Sequence, residues 1–501
     1  MRRTLSGRSS APNSRCARAC GSDRALCTLA SALLLSLSAW PLLLARVPPL
    51  QDLPAHLATA TVIRHPEDYP NLVFHGFFKT NSSLFAFLWP FGDAHLLSGA
   101  KLFVLLTLAA YAWVVPRLVL ELGGRARVPL ATLLAIPLAH NWFVAMGMLD
   151  YALGSALALG CVLLAARQRR APLPSRALAL GVLGILVWYT HVFALAMVAL
   201  LAAIEALRAR RLAALRPYAP LVLALGLAAW SVLAEVGRAH AASVHRLSYR
   251  PVWETAYELW AKYAWAFSKA ELASLVPFGV LAWALFRGRH EEVPLLSAPA
   301  VAALLVMAFV VPSEMLDWFA VNSRVLPFLY AAALVRAPER VPTPLVAVVA
   351  AAGLACSAGL GYDYLRLGRE MDAIAAGVDA VPERADLFPC ILDPKGSSEN
   401  TWALANGWGL YVVAKRTSAP LVFAHSPSFP LGYRTPPPED EHPLRLAELA
   451  QSRSAAARAE LARIAARHAW VLAWGDDVEP PPSHALRFER GELRIYGAAP
   501  P

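Results

Sequence analysis

Residues 46–63 read RVPPLQDLPAHLATATVI, and they follow an apolar run of about 20 residues, Ala25 to Ala45. The run has the length of one bilayer crossing, so this stretch lies where the chain leaves the membrane. Pro suits the first turn of a helix and Asp the position before it. A helix beginning at Asp52–Pro54 is therefore expected. Asp52 can serve as its cap or as a reactive carboxylate, and capping does not exclude chemistry. His56, four residues on, shares a helix face with Asp52 if the helix starts there. It is equally read as an interfacial histidine bonded to a neighbour.

Working outward, composition sets the class. The chain has 501 residues, 57% hydrophobic and 16% charged, with a mean hydropathy of +0.46. Soluble domains carry about 25% charged residues, so the composition describes a polytopic membrane protein. The formal net charge of +11 is mostly arginine scattered among short loops, as cytoplasmic loops require. That distribution argues against a nucleic-acid partner and names the membrane lipid as one. Cys16, Cys20, Cys27, Cys161, Cys356 and Cys390 show no metal-ligand spacing and no disulfide framework.

Residues 1–25 form a basic leader with six arginines and one acid. The apolar run after it lacks a small-residue cleavage site, so an uncleaved first span is expected, with the leader in the cytoplasm. Eleven spans are then expected, near 26–45, 99–120, two within 128–166, two within 177–207, 217–236, 272–286, 294–312, 324–336 and 343–361. The 177–207 run sits between basic loops, so it reads as a tight hairpin turning near Trp188–His191; a single long tilted helix is the alternative. On this count 26–361 is the transmembrane domain. Its long external loops are 46–98 and 237–271, and 362–501 is an external C-terminal domain. Every cytoplasmic loop is short and arginine-rich. Trp253, Tyr257, Trp260 and Ala264 recur at helical spacing, which predicts an interfacial helix over 252–268.

The region from Tyr362 is a different material. DLFPCIL, YVVAK, PLVFA, WVLAW and LRIYG are strand candidates, and Leu444 to His468 reads as one helix. The fold class is mainly α: a polytopic helical membrane protein with a small extramembrane α/β or α+β domain. The tail carries no nucleophile elbow, glycine-rich phosphate loop or HExxH motif, and Asp476–Asp477 reads as a turn.

Polar residues concentrate at the outer span ends. His140 and Asp150 flank one turn; Glu314, Asp317 and Arg324 flank another. Arg324 either snorkels to headgroups or binds phosphate, for which a guanidinium is suited.

The pattern of spans, the first loop with PPLQDLPAHL, and the span ends HNWFVAMGMLDYALG, WYTHVFAL and NSRVLPFL together resemble the GT-C superfamily of integral-membrane glycosyltransferases. These enzymes transfer a sugar from a polyprenyl-phosphate donor. The resemblance implies Asp52 as general base with His56 beside it. It also implies Arg324, His191, Lys79, Asp150 and Asp317 as groups around a lipid-linked sugar donor. The family's first loop often has two adjacent acids, whereas here Gln51 precedes Asp52, so no metal ligand is assigned and a divalent cation is left uncommitted. A bacterial plasma (inner) membrane and a cell-envelope acceptor are the implied setting. The rival readings are a transporter or flippase, which would place ionisable groups at mid-membrane, and a non-catalytic partner in cell-envelope polysaccharide assembly.

Overall fold

In a computed structural model the described residues are 14–239, 247–287, 293, 295–315, 318–426, 428–452, 454–475 and 482–498. All eleven apolar segments fold as helix, but they differ in length. Gly21–Leu43, Asp93–Leu122, Leu149–Arg170, Val192–Ala209, Leu212–Ala234, Lys269–Phe286 and Thr343–Ala380 are long and apolar enough to cross a bilayer. An eighth candidate is a pair bent by 67°, Arg125–Leu134 with Ile136–Ala145. Pro174–Thr190 has 17 residues, Ala298–Val310 has 13 and Leu326–Val335 only 10. At about 1.5 Å per residue, a 13-residue helix covers about 20 Å of a core about 30 Å thick. Among the described residues length thus supports seven or eight crossings where the apolar pattern predicts eleven. The chain is a mainly helical, multi-pass membrane protein with a small C-terminal α+β domain.

The 177–207 run is two helices. They break at His191, whose φ of −163° and ψ of 118° are extended, which rules out one long tilted helix. The Leu149–Arg170 helix approaches this break closely, since a Cβ on Gly154 would stand 2.9 Å from the Thr190 hydroxyl. Small residues at such crossings are what allow membrane helices to approach.

The first loop is not an open loop. Its Leu53–Arg64 helix is buried along every residue from Leu53 to Ile63, and Ser83–Leu88 forms a second short helix. The expected interfacial helix is shorter than predicted: it runs Val252–Ala261, with Trp253 and Tyr257 exposed and Trp260 buried.

Among the described residues nine short strands form three sheets. β1 (Leu72–Phe74) lies in the first loop. β2 (Leu247–Ser248), β3 (Glu314–Met315) and β4 (Trp318–Phe319) make a small antiparallel sheet. β5 (Leu387–Ile391), β6 (Leu431–Tyr433), β7 (Trp470–Trp474), β8 (His484–Arg490) and β9 (Leu493–Ala498) belong to the C-terminal domain. Its sheet has the order β5-β7-β9-β8, with β5 and β7 parallel and the other pairs antiparallel. Side chains alternate across it, as the two-residue period of a strand dictates. Phe388, Cys390, Val471 and Ala473 meet the helices Pro443–Gln451 and Ala455–Ala465. Leu387, Ile391, Leu472 and Ile495 meet Met371 and Ile374. Those two residues belong to one 33-residue helix, Thr343–Ala375. That helix continues past the expected domain boundary at 361 and carries the bundle into the domain without a linker.

Three sequence expectations in the domain fail: PLVFA forms no strand, its end lying in the single turn Phe423–His425, and two others fail for local reasons. The 444–468 segment is two helices, because Ser454 caps the second by accepting from Ala457 N at 3.2 Å. YVVAK lies in a helix, Gly409–Lys415, where Tyr411 and Val412 are buried; packing overrides the β-propensity of its valines.

The domain is clamped to the first loop. β1 pairs with β6, and Asp68 binds Arg384 at 2.9 Å and Arg416 at 3.4 Å. A Cβ on Gly409 would stand 2.2 Å from the Pro54 carbonyl oxygen, so backbone touches backbone there. Gly409→Ala should therefore push the domain off the Leu53–Arg64 helix. Limited proteolysis of the full-length protein should cut near 395–408 faster in this variant, and an unchanged cleavage rate would contradict the contact.

Candidate active site

The site is built on a turn. Asn141 caps the short Trp142–Ala145 helix, its Oδ1 accepting from Phe143 N at 3.0 Å and Val144 N at 3.3 Å. The chain then exposes three successive carbonyls to the first loop. Ala145 O accepts from Gln51 N at 3.0 Å and Met146 O from Asp52 N at 3.1 Å. Gly147 O lies 3.0 Å from His56 Nε2. Gly147 adopts φ +78°, and a Cβ there would meet Asp52 N at 2.8 Å. Only glycine permits this approach.

Asp52 stands at the N-cap position, yet its side chain makes no capping hydrogen bond. Its Oδ1 instead accepts from Asn406 Nδ2 at 3.1 Å and Gln51 Nε2 at 3.4 Å. No described residue donates to Oδ2. Gln51 is itself held, with Oε1 accepting from Trp402 N at 3.0 Å. Enclosure by protein pushes the Asp52 carboxyl from its usual 3.8 up to about 7, with the Gln51 and Asn406 hydrogen bonds pulling the other way. A carboxyl in that range is suited to general-base work near neutral pH.

His56 does share the helix with Asp52, but its chemistry points elsewhere. A carbonyl only accepts, so Nε2 carries the proton and Nδ1 is bare; that nitrogen is buried with no partner. Phe85, Phe423 and Phe429 surround the ring at 5.3–6.0 Å. Burial pushes His56 down to about 4, so it is neutral at pH 7 and holds the Gly147 turn.

Arg324 and His191 come together, as their positions at two span ends allow. Arg324 Nη1 lies 2.7 Å from His191 Nε2, and Nη2 donates to Phe319 O at 2.9 Å. Trp318, Tyr151 and Phe193 lie under the guanidinium at 4.8–5.8 Å. Arg324 is buried, its Nε has no partner, and no carboxylate pairs with it among the described residues. His191 Nδ1 already accepts from Phe193 N at 3.2 Å. The ring thus faces a donor at both nitrogens, although a neutral imidazole has one bare nitrogen. Among the described residues the cluster lacks an anionic acceptor.

The segment 141–151 joins the two groups. Phe143 packs on Tyr151 at 4.7 Å, the Tyr151 ring meets His191 at 5.1 Å, and the Tyr151 hydroxyl donates to Arg324 O.

The other candidates are dispersed. Asp150 accepts from Ser83 Oγ and from Leu84 N, the latter at 3.1 Å, which anchors the Ser83–Leu88 helix. Lys79 Nζ donates to Phe429 O at 2.9 Å, tying the first loop to the C-terminal domain. Asp317 lies outside the described residues. His65, Glu67 and Asp68 are near enough to share a cation. His65 already binds Asp93 at 2.8 Å, however, and Asp68 binds two arginines. They also lie a whole helix, about 18 Å, from Asp52. Their donors do not fit a metal serving Asp52.

Four further residues were not singled out from sequence. Asn406 has no motif around it. Lys262 sits 4.1 Å over the Trp142 ring and 4.0 Å from Glu258; only its place among aromatics hints at this. Glu271 and Asp363 are buried acids. Glu271 accepts from Ala266 N at 2.7 Å and Phe267 N at 3.2 Å. Asp363 accepts from Ser268 Oγ at 2.8 Å and Arg366 Nη2 at 3.1 Å.

No family model and no curated protein matches the sequence. Among solved structures the chain is similar to ArnT from Cupriavidus metallidurans. The crystal structure bound to undecaprenyl phosphate aligns with a TM-score of 0.57 at 12% identity, over 95% of this chain and 99% of that one. The apo structure aligns with a TM-score of 0.51 at 12% identity, over 75% and 84%. The architecture is that of the ArnT fold. At this identity the likeness is one of fold, and it runs through both the helical bundle and the C-terminal domain.

The raised Asp52 carboxyl has a stability signature. The folded state binds its proton more tightly than the unfolded chain, so folding stability falls as pH rises from about 4 to 7 and is then level. A shift of about three units at about 1.4 kcal/mol each caps the penalty near 4 kcal/mol. Asp52→Asn should therefore raise the melting temperature at pH 8 but not at pH 4. Parallel pH dependences in the two proteins would show that Asp52 is not desolvated.

Proposed function

We propose that this protein is a membrane glycosyltransferase. It moves a sugar from a polyprenyl-phosphate donor to a cell-envelope acceptor at the outer face of a bacterial plasma membrane. The N-terminus is cytoplasmic and the C-terminal domain external. One observation carries the reading: among the described residues, a carboxylate with one unpartnered oxygen and a buried guanidinium without a carboxylate are joined by the single segment 141–151.

Such a pair suits displacement at an anomeric carbon. The acceptor hydroxyl loses its proton to Asp52 as its oxygen attacks the sugar carbon. The carbon–oxygen bond to phosphate breaks, and the electron pair leaves with the polyprenyl phosphate. Arg324 stabilises that anion, and the His191 Nε2–H beside it is a second donor. The anion supplies the acceptor that the Arg324–His191 cluster lacks, and it offsets the cost of burying an unpaired charge. One displacement inverts the anomeric centre. The exposed aromatic residues Trp253 and Tyr257 fit a site loaded from the lipid headgroup layer. ArnT has been crystallised with undecaprenyl phosphate, and a ligand of that class is the proposed donor carrier here. No step is assigned to a metal, because the His65, Glu67 and Asp68 donors are engaged and remote.

Asp52→Asn should abolish sugar transfer while the protein still inserts and still binds undecaprenyl phosphate. An active Asp52→Asn protein would sink the assignment. Arg324→Gln should weaken undecaprenyl phosphate binding about 10- to 100-fold, the worth of a charge-assisted hydrogen bond. Titration of the purified protein by native mass spectrometry reads this directly, and equal affinities would remove Arg324 from the phosphate site.

A further inference from the structure

The contacts around Asp52 include one from a remote part of the chain. Asn406 lies in a turn of the C-terminal domain that packs against the start of the Leu53–Arg64 helix, where Gly409 meets Pro54. Its amide orientation is set by a donor-only group: Trp408 Nε1 donates to Asn406 Oδ1 at 3.3 Å. The Nδ2 end therefore faces the membrane domain. There it donates to Gln51 O at 3.1 Å and Asp52 Oδ1 at 3.1 Å. Trp408 is buried, so the amide cannot turn over without breaking an interior hydrogen bond.

We propose that Asn406 is a positioning residue for Asp52. By tethering Oδ1 it leaves Oδ2 as the oxygen that meets the acceptor hydroxyl, so the C-terminal domain completes the site. This rests on Asp52 being the reacting carboxylate. Two physical effects follow from the one hydrogen bond. It locks the carboxylate plane, which places the basic lone pair. It also favours the ionised form against desolvation.

No other charged group competes for this effect on the elements packed against Asp52. The turn 141–148 and the segment 400–409 contain no titratable side chain. On its own helix the nearest titratable group is His56, neutral at pH 7. Arg46, upstream, is bound to Asp372 at 2.8 Å. Asp150, beyond the turn, is bound to Ser83 and Leu84.

The test is an infrared titration of the Asp52 carboxyl in the full-length, detergent-solubilised protein, with Asp52→Asn identifying its band. Asn406→Leu keeps the shape and removes the donor, so the carboxyl should titrate about one unit higher. Trp408→Phe frees the amide to turn and should give a smaller shift in the same direction. Tyr411→Phe removes a hydrogen bond to Ile374 in the same domain without touching Asp52, and should leave the titration where it was. An unshifted Asn406→Leu protein overturns the positioning role, as does a Tyr411→Phe shift of equal size, which would mark a general loosening of the domain. The measurement needs no substrate, so its failure is separable from failure of the catalytic reading. That reading falls only if Asp52→Asn still transfers sugar.

Discussion

Three consecutive carbonyls, from Ala145 to Gly147, take hydrogen bonds from Gln51, Asp52 and His56, and the rest of the site is referenced to that ladder. A helix start is normally a place of unpaired donors and some freedom. Here it is pinned at three points to a turn that is itself capped by Asn141. The turn can run so close only because Gly147 has no Cβ and accepts a positive φ. The Asp52 carboxylate thus has a fixed origin, the condition that the proposed role as a base requires.

The same turn transmits position in the other direction. Phe143 and Tyr151 connect it to His191 and to the Arg324 backbone, so the Asp52 carboxylate and the guanidinium are parts of one packed unit. The electrostatics of that unit are uneven. Glu271 and Asp363 are buried acids, and each finds donors within its own neighbourhood. Glu205 is met by Arg169 and Arg208. Among the described residues Arg324 finds a carbonyl, an imidazole and aromatic faces but no carboxylate. A buried charge left in this state is costly unless an anion joins it, and a lipid phosphate is the anion a bilayer presents.

The C-terminal domain closes the arrangement. It is continuous with the bundle through the Thr343–Ala375 helix. It is stitched to the first loop by β1–β6, by Asp68 with Arg384 and Arg416, and by Lys79 with Phe429. Through Asn406 and Trp402 it reaches Asp52 and Gln51. The domain is therefore part of the site wall, and its sheet serves to place the 402–409 turn.

The sequence by itself determined the class and the coarse plan. Apolar runs, arginine-rich loops and Pro–Asp–Pro punctuation act locally, so the membrane bundle, the Leu53–Arg64 helix, the break at His191 and strands β5, β7 and β9 were all legible. Asp52 stood out because acids are rare beside a span end, and Arg324 for a similar reason. Only the tertiary structure decided which polar residues meet. Asn406 lies some 350 residues from Asp52 in sequence, and no local pattern encodes a contact across that separation. Nor could spacing show that His56 is shut among three phenylalanines, or that Asp150 anchors the Ser83–Leu88 helix. Burial and partner choice are properties of packing. They also explain why three apolar segments, recognisable as helices from composition, proved shorter than the bilayer core.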